Sequence, residues 1–479
     1  MAGDGRGGAR MRPTAFLQVV EWLFFGYFIL IYLVYALLNV FAVIRIRRYL
    51  QVAELTAADN VFSSLDLPVS VVVPAYNESD SIITSTRAML QVEYPDYEVI
   101  VVNDGSTDDT LQKLIDAFNL RPFPEAYRQR VPCKKVRGVY KSALYPTLRV
   151  VDKENGGSKA DAMNAGINVC RYPIFCAVDA DSILQPDSLR RAVRPFLEEP
   201  NTVATGGTVR IANGCVVRGG FLEKVGLPSN FLARVQVIEY LRAFLYGRMG
   251  WTQMNAVLII SGAFGVFDKE SVVRVGGYNA EAIGEDMELV LRLHRHFCES
   301  GEDYKITFVP DPICWTDAPE DLVTLGKQRI RWQHGLGQSL RLHKDLLFRR
   351  NSGAVGWLAI PFFYVFELFG PVVEIAGYIF MTIAGLSGWI SWETTGIFFC
   401  LAIGLGVMLS TSALVLEEMS FSVYPRVRDL FKLFGVAILE NFGYRQITLV
   451  WRIRGLVGWL RGKTPEWGEM KRSSSLTEP

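Results

Sequence analysis

"VSVVVPAYNE", residues 69–78, is a continuous run of mostly β-branched apolar residues that ends in polar ones. An apolar run without alternation is typical of a strand that is buried on both faces in a parallel sheet. The same pattern returns in "YEVIVVNDGS", residues 97–106, and in "RYPIFCAVDADS", residues 171–182. Because helical stretches separate these runs, the sequence predicts a doubly wound α/β domain.

Two helices are expected to follow the first two strands. The first covers about residues 79–92, and the second is "TDDTLQKLIDAF", residues 107–118. We expect Ser106 or Thr107 to cap the second helix, because their hydroxyls can accept from the first free N–H groups and acidic residues follow in the first turn.

Polar side chains follow each of the three predicted strands. They are Tyr76, Asn77, Glu78, Asp104, Asp179 and Asp181. Ligands of doubly wound domains bind at the carboxyl ends of the strands, so we expect these residues to meet in one crevice. Alternate strand residues share a face, so Asp179 and Asp181 are suited to one hard cation, Mg²⁺ or Mn²⁺. Turn chemistry is the alternative for these aspartates and for Asp104.

The composition limits the classes of protein to consider. The chain has 479 residues, half of them hydrophobic, and a mean hydropathy of +0.20, which allows two or three domains. A net charge of +1 gives no overall field that favours nucleic acid as a partner. The seven cysteines and four histidines show no metal-ligand spacing, which argues against a zinc site and predicts free thiols in a reducing compartment.

One long apolar segment precedes the predicted domain. Residues 16–44 carry a single charge, Glu21, and have the length of one membrane-spanning helix. We interpret the segment as a retained anchor rather than a signal peptide. Arg45, Arg47 and Arg48 follow it and predict a cytoplasmic location for that end, although three arginines also precede the segment.

Three apolar segments follow residue 350, at 354–386, 396–416 and 430–451. The first two are expected to span the membrane. The third has basic stretches on both sides, which predict that it starts and ends on the same face of the membrane. It would then lie in the interface or re-enter the membrane. The remaining alternative is that it spans the membrane and places the tail outside. We favour a bent or non-spanning helix. Its internal Glu440 and Arg445 are expected to pair with each other or with Glu367 or Glu374.

Two stretches place charged side chains near helix starts. In "KENGGSKADAMNAGI", residues 153–167, a glycine pair precedes Lys159, which is suited to a phosphate-bearing donor; close packing of the loop on the sheet is the alternative. In "IGEDMELVLRLHRHF", residues 283–297, Glu285 and Asp286 begin a helix. The helix dipole alone explains acidic residues there, whereas a general base that stays ionised explains them functionally.

"QRIRWQHG", residues 328–335, brings cationic and aromatic side chains together shortly before the chain becomes apolar. Arg329 and Arg331 are suited to a diphosphate by charge and by their fork of N–H donors. Trp332 offers a flat apolar face for a sugar ring. A basic juxtamembrane helix is the alternative, but such a helix needs several Lys or Arg residues and no aromatic one.

Six motifs occur in the order DGSTDDT, NGGSKADAMNAG, DADS, SGAFG, GED and QRIRW. In this order, from about residue 67 to 335, they resemble the membrane-embedded, processive branch of glycosyltransferase family 2, which includes cellulose, chitin, hyaluronan and poly-N-acetylglucosamine synthases. Q-x-x-R-W marks the polymerising branch. The chain departs from the family at Gly284, where T-E-D has Thr, and at "FSVY", residues 421–424, where F-x-V-T has Thr.

The resemblance implies a GT-A-like, nucleotide-sugar-binding domain, cytoplasmic and inserted between transmembrane helices. The implied donor-binding residues are Tyr76, Glu78, Asp104, Lys159, Asp179, Asp181, Gln328 and Arg331, with Asp104 at the uridine. The implied ligands of Mg²⁺ or Mn²⁺ are Asp179 and Asp181. Asp286 would be the catalytic base, with Glu285 as the second candidate. The implied acceptor-binding residues are Gly262, Phe264 and Trp332.

The implied activity is inverting and processive transfer from a UDP-sugar into a β-linked polysaccharide that passes into the membrane. The partners would be the UDP-sugar, the growing polysaccharide, the lipid bilayer and export proteins, at the inner or plasma membrane. A single-sugar transferase of the same fold acting on a lipid is the first alternative. A receptor or scaffold with a degenerate transferase domain is the second, and the presence of Asp104, Asp179, Asp181 and Asp286 argues against it.

The expected domain organisation follows from these segments. It comprises an N-terminal tail, a membrane helix, the cytoplasmic transferase domain, an interfacial segment with Q-x-x-R-W, a group of membrane helices with two likely spans, and a basic cytoplasmic tail. Their bounds are 1–15, 16–45, 67–300, 301–350, 354–451 and 452–479.

Overall fold

The computed structural model describes residues 15–57, 66–424 and 426–463. The predicted tails therefore lie outside the described residues, except for Ala15 and residues 452–463. The strands are β1 (Val69–Ala75), β2 (Tyr97–Asn103), β3 (Leu120–Pro122), β4 (Val136–Ser142), β5 (Leu148–Lys153), β6 (Ile174–Val178), β7 (Ile183–Leu184), β8 (Thr202–Ile211), β9 (Val216–Arg218), β10 (Phe221–Lys224), β11 (Phe264–Asp268) and β12 (Lys305–Thr316).

Fifteen α-helices are present among the described residues, together with π-helical segments at Arg242–Arg248, Val355–Ala359 and Phe363–Leu368 and a 3₁₀ turn at Lys344–Leu346. The α-helices are α1 (Ala15–Ala57), α2 (Ile82–Leu90), α3 (Thr110–Phe118), α4 (Lys159–Val169), α5 (Ser188–Glu198), α6 (Phe231–Leu241), α7 (Met249–Thr252), α8 (Lys269–Arg274), α9 (Glu285–Ser300), α10 (Leu322–Leu342), α11 (Ile360–Phe362), α12 (Gly370–Leu386), α13 (Trp392–Ser420), α14 (Val427–Leu439) and α15 (Tyr444–Leu460).

One ten-stranded sheet forms the centre of the α/β part, in the order β3-β4-β5-β2-β1-β6-β11-β8-β12-β7. The neighbours β5, β2, β1 and β6 run parallel, and β1, β2 and β6 are the strands predicted from the apolar runs. The predicted α/β fold is confirmed, with antiparallel strands added on both sides of its parallel centre. β12 pairs with β8 along its length, so the sheet continues past the expected boundary at residue 300.

The strand directions decide which residues meet at the carboxyl edge of the parallel strands. β1, β2 and β6 end there, at Ala75, Asn103 and Val178. β11 runs antiparallel to β6 and pairs Phe264 with Val178, so it begins where β6 ends. This topology brings the segment before β11 beside the Asp179 that follows β6.

The start of α3 differs from the prediction. Asp109, rather than Ser106 or Thr107, occupies the N-cap position. The hydroxyl of Ser106 instead accepts from the backbone N–H of Asn77 (3.1 Å), and the backbone N–H of Thr107 donates to the Asn77 side chain (2.9 Å). The two loops that follow β1 and β2 are thereby joined, and the residues expected to cap the helix are used in that junction.

Within the part of the chain that the structure describes, two helices are long and apolar enough to cross a membrane, over Ala15–Val52 and Trp392–Ser420. The pair Val355–Leu368 and Gly370–Leu386 meets the same criterion together and is bent by 45°. α1 does not end at the arginines after residue 44 but continues to Ala57. The three arginines mark the end of the apolar segment but not the end of the helix, because Arg is a good helix former.

The third C-terminal segment is two short helices. α14 and α15 have 13 and 17 residues, and Gly443 between them has φ +95. The break has a consequence for the predicted ion pairs. Arg445 pairs with Glu374 at 3.1 Å, which confirms one expectation. Glu440 pairs with Arg242 and with the hydroxyl of Ser410 rather than with the predicted partners, since it lies on the other side of the break.

Candidate active site

The loops after β1 and β2 form one wall of the crevice. Tyr76 is 48% exposed there. The backbone N–H of Glu78 donates to the hydroxyl of Thr110 at 2.8 Å, which fixes this loop against α3. Tyr76 and Glu78 therefore lie at the sheet edge where the sequence predicts a donor site.

Asp104 lies at the floor of the same wall and is buried. Its carboxylate pairs with the ammonium of Lys153 and accepts from the backbone N–H of Gly156 at 3.0 Å. Lys153 also pairs with Asp161 at 2.6 Å. Asp104 thus connects the end of β2 to the glycine pair that precedes α4. The sequence did not indicate this structural role.

Lys159 connects two of the predicted motifs. Its ammonium pairs with the carboxylate of Asp179 and donates to the carbonyl oxygen of Gly262 at 2.7 Å. The carboxylate of Glu285 is 3.8 Å away. Burial lowers the pKa of Lys159, but the carboxylates of Asp179 and Glu285 outweigh it and raise the pKa to about 12. Lys159 therefore stays cationic among carboxylates at the end of β6.

Glu285 and Asp286 face this lysine from the first turn of α9. A Cβ at Gly262 would lie 3.8 Å from Asp286 Oδ2 and 3.9 Å from Glu285 Oε1, so both carboxylates border the segment before β11. Asp286 also accepts from the backbone N–H of Met287 at 2.8 Å. The crevice therefore brings together Lys159, Asp179 and both acidic residues.

The two adjacent carboxylates have different surroundings. Burial raises the pKa of Glu285 to about 7; Lys159 opposes this shift and the negative charge of Asp286 adds to it. A carboxyl group that titrates near neutral pH is common in active sites, and structural ion-pair networks also produce such shifts. The charge of Glu285 therefore changes near neutral pH.

Two residues that the sequence did not single out complete the charge pattern. The guanidinium of Arg248 lies 4.0 Å from the centre of the Phe244 ring, and its Nε donates to Ile259 O at 2.9 Å. Burial lowers the pKa of Arg248 to about 10, against the attraction of Asp286. Burial also raises the pKa of Tyr240, to which Asp181 contributes. No recognised motif surrounds either residue, and only the fold brings them to the site.

The Q-x-x-R-W residues lie on α10. Trp332 is 45% exposed, and the guanidinium of Arg329 lies 4.3 Å from its ring centre. Arg329 is in turn paired with Glu239 of α6. Gln328 and Arg331 are half-buried. The motif therefore presents one indole to solvent and uses its first arginine to hold that indole.

α10 also contacts the start of α9 directly. A Cβ at Gly335 would lie 3.0 Å from Gly284 N, so the two backbones touch. Gln338 accepts from Ile283 N at 2.9 Å and donates to Glu281 O at 3.0 Å. Gly335 and Gln338 lie outside the five-residue motif Q-x-x-R-W, and contacts of α10 with a loop that is distant in sequence leave no pattern in the sequence.

One predicted acceptor residue is misplaced. Phe264 is fully buried, and its ring lies against Gly207 of β8 in the core. Its position explains this, because it begins β11 and is paired with Val178 inside the sheet. Of the two residues predicted from SGAFG, only Gly262 borders the crevice.

The carboxylates suit a divalent cation that is shared with a substrate. Over residues 15–57, 66–424 and 426–463 no group of three or more His, Cys, Asp or Glu side chains is arranged to hold a metal alone. Mg²⁺ commonly binds proteins through one or two carboxylates and takes its other ligands from phosphates and water. Asp179 and Asp181 after β6 fit that pattern, which makes a diphosphate the natural source of the remaining ligands.

Two family models and several curated proteins are similar to this sequence. The model described as glycosyl transferase family 2 matches residues 70–257, and the one described as glycosyl transferase family group 2 matches residues 174–411. Poly-β-1,6-N-acetyl-D-glucosamine synthase of Staphylococcus epidermidis (strain RP62A) is 28% identical over 267 residues, which are 56% of this chain and 54% of that protein. The synthase of Staphylococcus aureus (strain MSSA476) is 29% identical over the same shares. The chain thus spans about half the length of the curated relatives it matches.

A solved structure shares the fold. A mannosyltransferase from Pyrobaculum calidifontis, determined with GDP-Man and Mn²⁺, aligns with a TM-score of 0.53 at 18% identity and covers 94% of this chain and 99% of that one. The fold is therefore GT-A-like. The two family models together match residues 70–411, so this part of the chain carries glycosyltransferase family 2 domains.

Proposed function

We propose that this chain is an inverting, processive membrane glycosyltransferase that polymerises sugars from a UDP-sugar into a β-linked polysaccharide. One observation carries the proposal. The helix with Q-x-x-R-W is joined at one side to the acidic start of α9, through Gln338, and at the other to the bent membrane segment, through Gln333. UDP-N-acetylglucosamine is the first donor to test, because the relatives are named poly-β-1,6-N-acetyl-D-glucosamine synthases.

The donor half of the proposal assigns the first wall of the crevice to UDP. Tyr76, Glu78 and Asp104 would contact the nucleoside, while Asp179 and Asp181 would hold Mg²⁺ or Mn²⁺ with the diphosphate. The bound cation would neutralise the charge that builds up on the leaving diphosphate. Lys159 and Arg331 would add positive charge, and Gln328 a hydrogen bond, at the same place.

The chemical step uses the start of α9. Asp286 would accept the proton of the acceptor hydroxyl while the hydroxyl oxygen attacks the anomeric carbon from the face opposite UDP. The bond from that carbon to the diphosphate oxygen breaks, UDP leaves, and the α-linked donor becomes a β-linked product. Glu285 is the second candidate for the base, because it borders the same segment.

The acceptor half involves Trp332 and the membrane helices. The exposed indole would stack on the terminal sugar of the growing chain, near Gly262. Gln333 donates to the carbonyl oxygens of Glu367 and Leu368, both at 3.1 Å, so the acceptor wall continues into the bend of the membrane segment. We propose that the chain lies in the inner or plasma membrane, with the domain of residues 67–300 in the cytoplasm and the segment 301–350 at the membrane interface, and that export proteins take over the product.

The test is product analysis with the purified full chain. The protein in lipid nanodiscs is incubated with each of several radiolabelled UDP-sugars and Mg²⁺ or Mn²⁺, and the products are separated by lipid extraction and by size. High-molecular-weight label that is absent in EDTA supports a metal-dependent polymerase. Label that extracts entirely with lipid supports the single-sugar transferase instead, and full activity in EDTA contradicts the metal role.

A further inference from the structure

The residues that lead into the acidic start of α9 are held from two sides. We call residues 278–286 the carboxylate loop. On one side, the side-chain oxygen of Asn164 accepts from the backbone N–H of Tyr278 at 2.7 Å, and its amide nitrogen donates to the backbone oxygen of Tyr278 at 2.9 Å. Asn164 is buried in α4, so the sheet domain fixes the beginning of the loop.

The other side of the carboxylate loop is held by α10. Gln338 repeats the two-bond arrangement, accepting from Ile283 N at 2.9 Å and donating to Glu281 O at 3.0 Å. Three residues before Gln338 on α10, the helix and the loop are closer still, because a Cβ at Gly335 would lie 3.0 Å from Gly284 N and 3.2 Å from Gly284 Cα. Helix and loop are therefore in backbone contact directly before Glu285 and Asp286.

The same face of α10 carries the residues assigned to the donor. Gln328, Arg331, Gly335 and Gln338 are spaced by three, four and three residues, which places them along one side of a helix. Arg331 and the Gln338 that contacts the carboxylate loop therefore lie on the same side of one helix.

We propose that Gln338 is a positioning residue that sets the placement of Asp286 relative to the donor-binding face of α10. The inference rests on the proposed function, since it assumes that Asp286 is the base. Gln338 does not touch the reacting atoms in this arrangement. It makes the position of the base depend on the position of the helix that closes over the diphosphate.

Kinetics of Gln338 variants test the catalytic part. Gln338→Met keeps the volume and removes both bonds, and we expect kcat to fall by about tenfold to a hundredfold, the effect of misplacing a catalytic group by about 1 Å. Gln338→Glu keeps the acceptor for Ile283 N and removes the donor, so its loss is intermediate. UDP affinity by calorimetry and the melting temperature stay at the wild-type values. Gln112→Met, on the exposed face of α3, is the matched control.

A double variant distinguishes positioning from general damage. If Gln338 acts through Asp286, Gln338→Met adds no further loss of kcat in the Asp286→Asn background, because effects of residues acting as a unit are not additive. Multiplicative losses, an unchanged kcat, or a joint fall of UDP affinity and melting temperature overturn the proposal.

Hydrogen exchange separates this proposal from the proposed function. The wild type and Gln338→Met, as full chains in nanodiscs, are compared by mass spectrometry of peptides from the carboxylate loop. Loss of protection at residues 278–286 with the rest of α9 unchanged supports the mechanical link, and unchanged protection overturns it. A wild type that transfers no sugar from any UDP-sugar contradicts the proposed function and the catalytic role of Gln338 together, while the exchange result still decides the link.

Discussion

Glu285 and Asp286 are neighbours that differ in their electrostatic surroundings. Glu285 lies close to Lys159, and burial raises its pKa to about 7. Asp286 instead accepts a backbone hydrogen bond at the start of the helix. Pairs of carboxylates in different environments commonly divide the roles of acid and base between them. The difference in surroundings leads to one prediction for each of these two residues.

Asp286→Asn should lower sugar transfer to a small residual rate and leave UDP binding nearly unchanged. The base acts only in the chemical step, and its loss costs about 10² to 10⁴ in rate. Transfer is measured with radiolabelled UDP-sugar and UDP affinity by calorimetry, with Glu285→Gln as the matched variant. A collapse of UDP affinity in Asp286→Asn would place Asp286 in the donor site and make Glu285 the base.

Glu285→Gln should become more stable relative to the wild type as the pH rises from 5 to 8. The pKa of Glu285 is raised from 4.5 to about 7 in the folded chain, so the stability that its neutral form contributes is complete below 4.5 and is lost as the pH rises through 7. A glutamine does not ionise and keeps that contribution. The melting temperatures of both proteins are measured without divalent cations between pH 5 and 8. A difference in melting temperature that does not change with pH would contradict the raised pKa.

Trp332→Ala should stop polymer formation while UDP binding persists. The indole is 45% exposed and steadied by Arg329, so its free face is available to a sugar ring. Losing that apolar contact costs about 1–3 kcal/mol, on the scale of burying one large side chain. Product size is measured on a gel, with Trp392→Ala at the far end of α13 as control. Long product from Trp332→Ala would exclude the stacking role.

At the scale of elements, the sequence was sufficient for three of the four parallel central strands and insufficient for β5 and for the antiparallel side of the sheet. The apolar runs identified β1, β2 and β6 because strands buried on both faces need uninterrupted apolar residues. β8 carries Gly206 and Gly207 at positions where large side chains of the neighbouring strands β12 and β11 fill the space, so that a Cβ at Gly206 would meet the Phe308 ring. Such complementarity depends on which strands become neighbours in the sheet, and the sequence of a single strand does not show this.

The candidate site divides in the same way. Asp179, Lys159 and Asp286 were predictable because each ends a strand or begins a helix, where local sequence patterns are strong. Arg248 and Gln338 were not, because their importance comes from contacts to residues that are distant in sequence. Phe264 shows the reverse error, since its motif suggested the crevice and its strand position directs the ring to the core.

The membrane helices carry a prediction about charge pairing. Arg445→Met should destabilise the chain, because it leaves the carboxylate of Glu374 buried without its cation, a change that costs about 3–5 kcal/mol for a buried pair. The double variant Arg445→Met/Glu374→Gln should recover most of the loss. Melting temperature and yield in detergent measure both, and Arg194→Met, from an exposed ion pair on α5, serves as control. No recovery in the double variant would show that Arg445 has another role.

On the scale of the whole molecule, charged contacts join the sheet to the ends of the membrane helices. Arg210 of β8 pairs with Glu417 near the end of α13, and both are 2% exposed. Near the other helix, the Tyr49 hydroxyl of α1 donates to Asp311 of β12. The end of α1 and the end of α13 therefore both contact the sheet. This supports the proposal that α1, the bent pair and α13 each cross once.

That arrangement predicts which loops face the same side as the transferase domain. Residue 387, between α12 and α13, should face the opposite side, and residue 418, beside Glu417, should face the domain. After Cys133 and Cys400 are replaced by serine, Ser387→Cys should react with a membrane-impermeant maleimide in intact cells. Glu418→Cys and the control Gln112→Cys, on the domain surface, should react only after the membrane is opened. Labelling of Glu418→Cys in intact cells would place the end of α13 outside and remove the short route from the crevice into the membrane. Labelling of Ser387→Cys only in opened cells would instead make the bent pair re-entrant, and the growing chain would then need helices from another protein to leave the cell.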